Sequence, residues 1–381
     1  MGSNPLDRTG LYALVRRERG VSEHGKRHQR SDWNRRNYSS YIVDGGPWLN
    51  ILCFGEPLIR LATTGYERLE DAHILEVTYG GGETVVAASL ASQGENVAFA
   101  SKVSANRLGT NSLMMLARCG VDTSRVLRSN ERMGLYYSER GRSIRPSIVT
   151  YDRSGTAMAM ASHTDFDWDR MLNGVDLLFF SGVTPAISEE MYEACKEGLY
   201  ACRGRGIHVV CDLNYRSTML EPSVALERMH QLLPNIDELI ASEDDILSIS
   251  SANISKNEMF DYCLTKFRGL FLDYPLRSAC FIVRQSDRYD FGSFRGALLT
   301  QNGEYFSKTQ RAAITDLSSS GSIFAASMVH AQCCKWDPQF CIDYATMASA
   351  YKATLAGDLC FATETELASL LADTAQPSIR Q

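Results

Sequence analysis

From Leu49 onward the chain alternates short apolar runs with segments whose small and apolar residues recur at helical spacing, and that alternation admits few folds. The run "LNILCFGEPLIRL" closes on Gly-Glu, "ETVVAASLASQG" carries helical spacing, and "NVAFASKVS" is the next apolar run. Together they make a β-α-β unit. The pattern recurs in "VDLLFFSG" followed by "SEEMYEACKEGLYACRGRG", and in "IHVVCDLNY" followed by "SVALERMHQLLPN". It continues in "IDELIAS" and "ACFIVRQ", ahead of a long C-terminal helical region. Strands joined through helices pair in parallel, and a parallel sheet needs cover on both faces. An α/β fold is therefore expected, with the ligand beyond the carboxyl ends of the strands.

The residues just after each strand carry the functional information. Glu56 follows the first strand, and Gly80, Gly81 and Gly82 precede the first helix, either to let backbone approach a ligand or to make a tight turn. Asp212, Asn214 and Arg216 share one loop. Ser242, Glu243 and Asp245 follow "DELIA" and suit a metal and phosphate site or plain helix capping. Two segments, "LIRLATTGYERLEDAHILEVTYGG" and "RMGLYYSERGRSIRPSIVTYDRSGTA", alternate apolar and polar residues around turns. They predict a small antiparallel sheet, covering about residues 60–80 and 133–160, that closes over a substrate as a lid. Tyr136, Tyr151, Arg153 and Arg216 offer hydroxyls and fixed positive charge suited to a hydroxylated anionic small molecule; the bland alternative is surface Arg and half-buried Tyr.

Composition narrows the function classes. With 381 residues, 44% hydrophobic and 22% charged, the chain can bury a full core. A net charge of -6 argues against nucleic acid, whose phosphates call for a basic face. No apolar run is long enough to span a bilayer. The eleven cysteines are scattered without paired CxxC motifs at zinc-ligand spacing and read as reduced core residues, which predicts the cytoplasm or another reducing compartment. Residues 1–49 are Arg-rich and aperiodic, so the folded domain is expected over 50–381, with the extension a flexible tail or an organelle-targeting peptide; Asp7, Glu18, Glu23 and Asp32 weigh against targeting. The sequons at Asn37 and Asn253 carry no weight without a secretory signal.

Taken in order, "FGEPLIRL", "GGGETVVAASLASQG", "NRLGTNSLMMLARCGVDTS", "GLYYSERGRSIRPSIVTYDRSGTA", "SGVTPAIS", "DLNYR", "IASEDD" and "ASAYKATLAGDL" resemble the PfkB (ribokinase-like) sugar kinases, most closely the 2-keto-3-deoxygluconate kinases. The resemblance implies a ribokinase-like, Rossmann-type three-layer core with a β-sheet lid. It also implies transfer of the ATP γ-phosphoryl to a sugar-acid hydroxyl with Mg2+, and a homodimer through the lid or a protein partner. Position by position, Gly80, Gly81, Gly82, Val85, Tyr136, Tyr151, Arg153 and Arg216 fall on the sugar side. Ser242, Glu243, Asp245, Arg284, Asp316 and Lys352 fall on the nucleotide side.

The sequence departs from the family pattern at the chemistry. Val85 stands where an Asn contacts sugar, and Ser242 where an Asn begins the acidic segment. In "ITDLSSSGSIFAASMVHA" the DxxGxGD pattern keeps Asp316 and Gly321, but Ser319 and Ser320 replace small turn residues and Ser322 replaces the Asp that takes the proton from the attacking hydroxyl. A serine cannot act as a general base near neutral pH. The expectation is a pseudokinase that retains a sugar-acid pocket or serves as a subunit or regulator, its Ser-rich turn distorted and its helix capped from about Ser322. The alternative is an active sugar-acid kinase with an atypical site. Repair is expected to require changes at Ser319, Ser320, Ser322 and Val85 together.

Overall fold

The computed structural model describes residues 49–250, 254–287 and 289–372. The N-terminal extension up to residue 48, and the sequons at Asn37 and Asn253, lie outside the described residues. In chain order the elements are β1 (Asn50–Phe54), β2 (Leu58–Thr63), β3 (Leu75–Gly80), α1 (Gly82–Ser92), β4 (Asn96–Ser104), α2 (Arg107–Arg118), β5 (Asp122–Ser129), β6 (Gly134–Glu139) and β7 (Ile148–Asp152). There follow α3 (Trp168–Met171), β8 (Leu177–Ser181), α4 (Glu189–Arg205), β9 (His208–Asp212), α5 (Pro222–Leu232), β10 (Glu238–Ser242), α6 (Glu243–Ser250) and α7 (Met259–Asp273). The last are β11 (Ser278–Ser286), β12 (Phe291–Thr300), β13 (Gly303–Phe306), β14 (Gln310–Ala313), α8 (Ser320–Cys333), α9 (Pro338–Ala353) and α10 (Glu364–Ala372).

The large sheet runs β13, β12, β11, β10, β9, β8, β1, β4, β5, with β14 also on β12. From β11 to β5 every pair is parallel; β12 is antiparallel to its neighbours. Strand composition explains the burial. In β1 and β8 consecutive apolar side chains go to opposite faces, so Leu52, Phe54, Leu178 and Phe180 enter one core while Ile51, Cys53, Leu177 and Phe179 enter the other. α4 and α7 close the first face; α1, α8 and α9 close the second. α4 shows how local sequence sets an element: Ser188 Oγ accepts from the Met191 amide at its start, and Gly206 at φ +69° ends it.

The second sheet, ordered β3, β2, β6, β7, is the expected lid, although β2 and β6 are parallel within it. Within it β2 is mostly buried, β6 alternates over its first four residues, and β3 and β7 are mostly exposed. All eleven cysteines are free and most are buried, as their apolar settings predict; Cys334 reaches the surface. None of the described helices is long and apolar enough to cross a membrane.

Candidate active site

Between the lid and the carboxyl ends of the parallel strands lies a cavity of about 590 Å³, within the range of small-molecule sites. Gly81, Gly82, Tyr136, Tyr151, Arg153 and Arg216 line one part; Ser242, Glu243, Asp245 and Arg284 line another. Ser319, Gly321 and Ser322 also form its wall. Most of the residues expected from the sequence thus line one cavity.

Several residues stand elsewhere. Val85 is fully buried in the core on the α1–α8 side and does not reach the cavity. Gly80 sits behind the wall, where a Cβ would meet Asp358 Oδ2 at 2.2 Å and the Tyr136 hydroxyl at 2.6 Å. Asp316 and Lys352 are buried below the cavity, with Lys352 Nζ donating to the Asp316 and Leu355 carbonyls, both at 3.3 Å. Ser320 is fully buried, its hydroxyl accepting from Arg284 Nη1 at 3.1 Å.

The glycine turn makes room for a ligand. Gly81 has φ +110°, and a Cβ there would lie 2.5 Å from the Glu56 carbonyl. Gly81→Ala is therefore expected to lower stability by about 1–3 kcal/mol, read as a shifted denaturant midpoint. A Cβ on Gly82 would stand 2.9 Å from Asn214 Nδ2 and 4.0 Å from Ser322 Oγ. Hence the glycine turn, the loop after β9 and the start of α8 meet at one point.

On the lid side, Arg153 donates through Nε and Nη2 to Glu56 Oε2, at 2.7 and 2.5 Å, while Thr156 donates to Glu56 Oε1 at 2.7 Å. The rings of Tyr136 and Tyr151 lie 5.7 Å apart. Arg216 has no ion pair among the described residues.

On the opposite side, Asp245 accepts from the Ser242 amide and hydroxyl and from the Tyr215 amide, each at 2.7 Å. Of the two capping candidates Asp245 thus takes the role, while the Ser242 hydroxyl donates to it. Arg284 pairs with Glu243 at 3.3 Å and Asp244 at 3.0 Å. Burial raises the Glu243 carboxyl to about 7 against the pull of Arg284. Burial and the nearby Asp245 push Asp212 well above the usual carboxylate range.

The start of α8 differs from expectation. The helix begins at Ser320 rather than near Ser322, and its cap, Ser319, makes no side-chain capping bond. Ser319 instead takes the left-handed conformation, φ +61° and ψ 5°, so the turn is kept and the cost falls on one non-glycine residue. The Ser320 amide donates to Leu317 and the Ile323 amide to Ser319. The Gly321 and Ser322 amides remain as first-turn donors beside the cavity, the usual arrangement of an anion cradle.

Sequence reasoning missed the ion cluster that joins the lid to the body. Arg60 of β2 is 2% exposed; its Nη2 donates to Asp316 Oδ2 at 3.0 Å and Ser138 Oγ at 3.1 Å, and Nη1 lies 3.5 Å from Asp358 Oδ1. Arg140 stands 3.9 Å from Asp316, and the Tyr136 hydroxyl donates to Asp358. The only hint was a charge inside the apolar run "PLIRLA". Burial works against ionised Asp316, yet the Ser318 bonds and Arg60 hold its carboxyl below the ordinary range. Burial lowers Lys352 to about 8 and raises Asp358 to about 6.

The sign for Asp358 follows from its raised value. The folded protein holds this proton more tightly than the unfolded chain, whose carboxyl titrates near 3.8, so the associated stability is full below about pH 4 and is lost as pH rises through about 6. Asp358→Asn is expected to flatten stability against pH across that window, measured by urea denaturation at each pH.

Comparison with known proteins places this geometry. Residues 49–268 match the pfkB family carbohydrate kinase. The chain belongs to this family. A 2-dehydro-3-deoxygalactonokinase of Haloferax volcanii is 35% identical over 199 residues, 52% of this chain and 62% of that protein. The match spans about half the length of several other curated relatives, among them a 2-dehydro-3-deoxygluconokinase of Bacillus subtilis at 29% identity, covering 45% of this chain and 53% of that protein. A 2-dehydro-3-deoxygluconokinase structure from Thermotoga maritima superposes with TM-score 0.81 at 29% identity, covering 85% of this chain and all of that one. The chain thus has the ribokinase-like α/β fold with a separate lid sheet, and it is similar to 2-dehydro-3-deoxygluconokinases.

Proposed function

We propose that this pfkB-family chain binds a sugar acid of the 2-keto-3-deoxygluconate class and is impaired in phosphoryl transfer. The observation that carries the reading is Ser322, which stands on the cavity wall at the meeting point of the glycine turn and the β9 loop, where the family pattern carries its base. A serine hydroxyl does not accept a proton near pH 7, and loss of a general base lowers rate by about 10²- to 10⁴-fold. Arg153, Arg216, Tyr136 and Tyr151 support a carboxylate-bearing, hydroxylated ligand on the lid side.

Kinases of this family use ATP and Mg2+. The oxygen donors fit such a pair: Glu243 and Asp244 face the cavity beside Arg284, and Mg2+ is usually held by one or two carboxylates together with substrate phosphates. When bound, the ion screens phosphate charge; the residues of this chain would hold it through Glu243 and Asp244 and meet the phosphates with the Gly321 and Ser322 amides. At the position where the family pattern carries its base, this chain offers only the Ser322 hydroxyl, which does not accept a proton near pH 7. Asp212 lines the cavity, but burial and Asp245 shift it away from the deprotonated form that a base needs.

The expected homodimer draws support from Ile74, Val77 and Ile148, exposed on the lid segments. Titration calorimetry with 2-keto-3-deoxygluconate, followed by Arg216→Gln, tests the binding half of the proposal. Binding that weakens at least tenfold in the variant supports it; absence of any sugar-acid heat while ATP binds tightly contradicts it.

A further inference from the structure

The far end of α8 carries a second cluster that the sugar site does not use. His330 and Cys334 are four residues apart at the helix end and so share a face. Glu95, in the turn before β4, and Glu364, the first residue of α10, reach the same ring. His330 is 1% exposed and Glu95 is buried; Nδ1 of the ring lies 2.8 Å from Glu95 Oε1, and Cys334 Sγ stands 4.0 Å from Nδ1 and 3.8 Å from Nε2. Nε2 lies 3.5 Å from Glu364 Oε2. One ligand atom each from Glu95, His330 and Cys334 falls within 4.8 Å of the other two.

We propose that Glu95, His330 and Cys334 form a binding site for a zinc-class divalent ion, with Glu364 orienting the ring from its other nitrogen. Carboxylate oxygen, imidazole nitrogen and thiolate sulfur are the donor set that a borderline-soft ion takes, and three protein ligands leave a fourth position for water. Tetrahedral bonds of about 2.0–2.3 Å separate neighbouring donors by about 3.3–3.6 Å. Meeting that spacing takes a swing of the Cys334 side chain toward Nδ1 and the Glu95 oxygen, together with an opening of the Glu95 contact by about 0.5 Å. A carboxylate on the second ring nitrogen is the usual outer partner of a metal-bound histidine and fixes its tautomer. One thiolate and one carboxylate neutralise the divalent charge, which suits a site this buried. Loading releases the Nδ1 proton now shared with Glu95 and the thiol proton of Cys334. Cys334 at the surface provides the entry path.

The test uses the purified full chain, stripped with a chelator and titrated with Zn2+ by calorimetry, with Co2+ as a spectroscopic probe. The expected results are one equivalent of Zn2+ bound at submicromolar concentration and a thiolate-to-cobalt absorption band. Cys334→Ser should abolish that band and weaken Zn2+ binding more than 100-fold, Glu364→Gln about 10- to 100-fold, and Cys333→Ser not at all. Circular dichroism confirms that each variant is folded. If the ring is instead an imidazolium held between Glu95 and Glu364, the wild type takes up no equivalent of Zn2+, and the proposal is overturned. Zinc held equally by Cys334→Ser, or cobalt bound without the thiolate band, overturns it as well.

Discussion

Ser322→Asp is expected to raise ADP release on a sugar acid by about 10²- to 10⁴-fold over the unmodified chain. The sequence alone suggested that four changes were needed, and the geometry reduces that number. The turn before α8 is intact because Ser319 adopts the left-handed conformation itself, and the Gly321 and Ser322 amides keep their place beside the cavity. Ser319→Gly should then add about 1 kcal/mol of stability by relieving the positive φ, with a small further effect on rate. Ser320→Gly would remove the hydroxyl that accepts from Arg284 and is expected to be harmful. Val85→Asn would place an amide in a fully buried apolar cluster at a cost of about 1–3 kcal/mol, without bringing it to the cavity. The comparison of ADP release by wild type, Ser322→Asp, the Ser319→Gly double variant and the quadruple variant decides the matter. Single-variant activity equal to wild type would show that the missing base is not the limiting defect.

Arg60→Met should destabilise the folded chain by about 3–5 kcal/mol, the usual range when one partner of a buried ion pair is removed. Without the guanidinium, Asp316 and Asp358 stand buried with no strong cation between them; Arg140 is 3.9 Å from Asp316, and the neighbouring Lys352 ammonium bonds the Asp316 and Leu355 carbonyls. Since Arg60 lies on β2 and both acids on the body, the loss also frees the lid sheet from the strand ends. Asp358→Asn in the Arg60→Met background should recover part of the loss, because it removes a buried carboxyl that keeps the Tyr136 hydroxyl but has lost its cation. Denaturant midpoints of the two single variants and the double variant measure this coupling. A midpoint for Arg60→Met unchanged from wild type would contradict the clamp.

The parts of the fold legible in the sequence are those set by local pattern. The unbroken apolar runs "NILCF" and "LLFFS", buried on both faces, and the glycine-bounded helix segments sufficed for a parallel sheet covered on both faces. The cavity wall was legible where residues follow strands directly, as at Asp212, Asn214 and Glu243. What escaped depends on contacts between distant segments. Arg60 and Asp316 are separated by 256 positions, and nothing local says that a lone Arg in β2 is a clamp. The Ser319 conformation was equally hidden, because serine at a helix start suggests a side-chain cap, whereas here its backbone makes the turn. His330 and Cys334 show a readable four-residue spacing, but Glu95 and Glu364 join them only in the folded chain.

The most direct measurement of the central claim is ADP release by the unmodified full chain with saturating 2-keto-3-deoxygluconate, ATP and Mg2+, run beside calorimetry of the sugar acid. The account predicts sugar-acid binding with turnover far below the about 1–100 s⁻¹ of ordinary kinases. Turnover of about 1 s⁻¹ or more by the wild-type chain would contradict it.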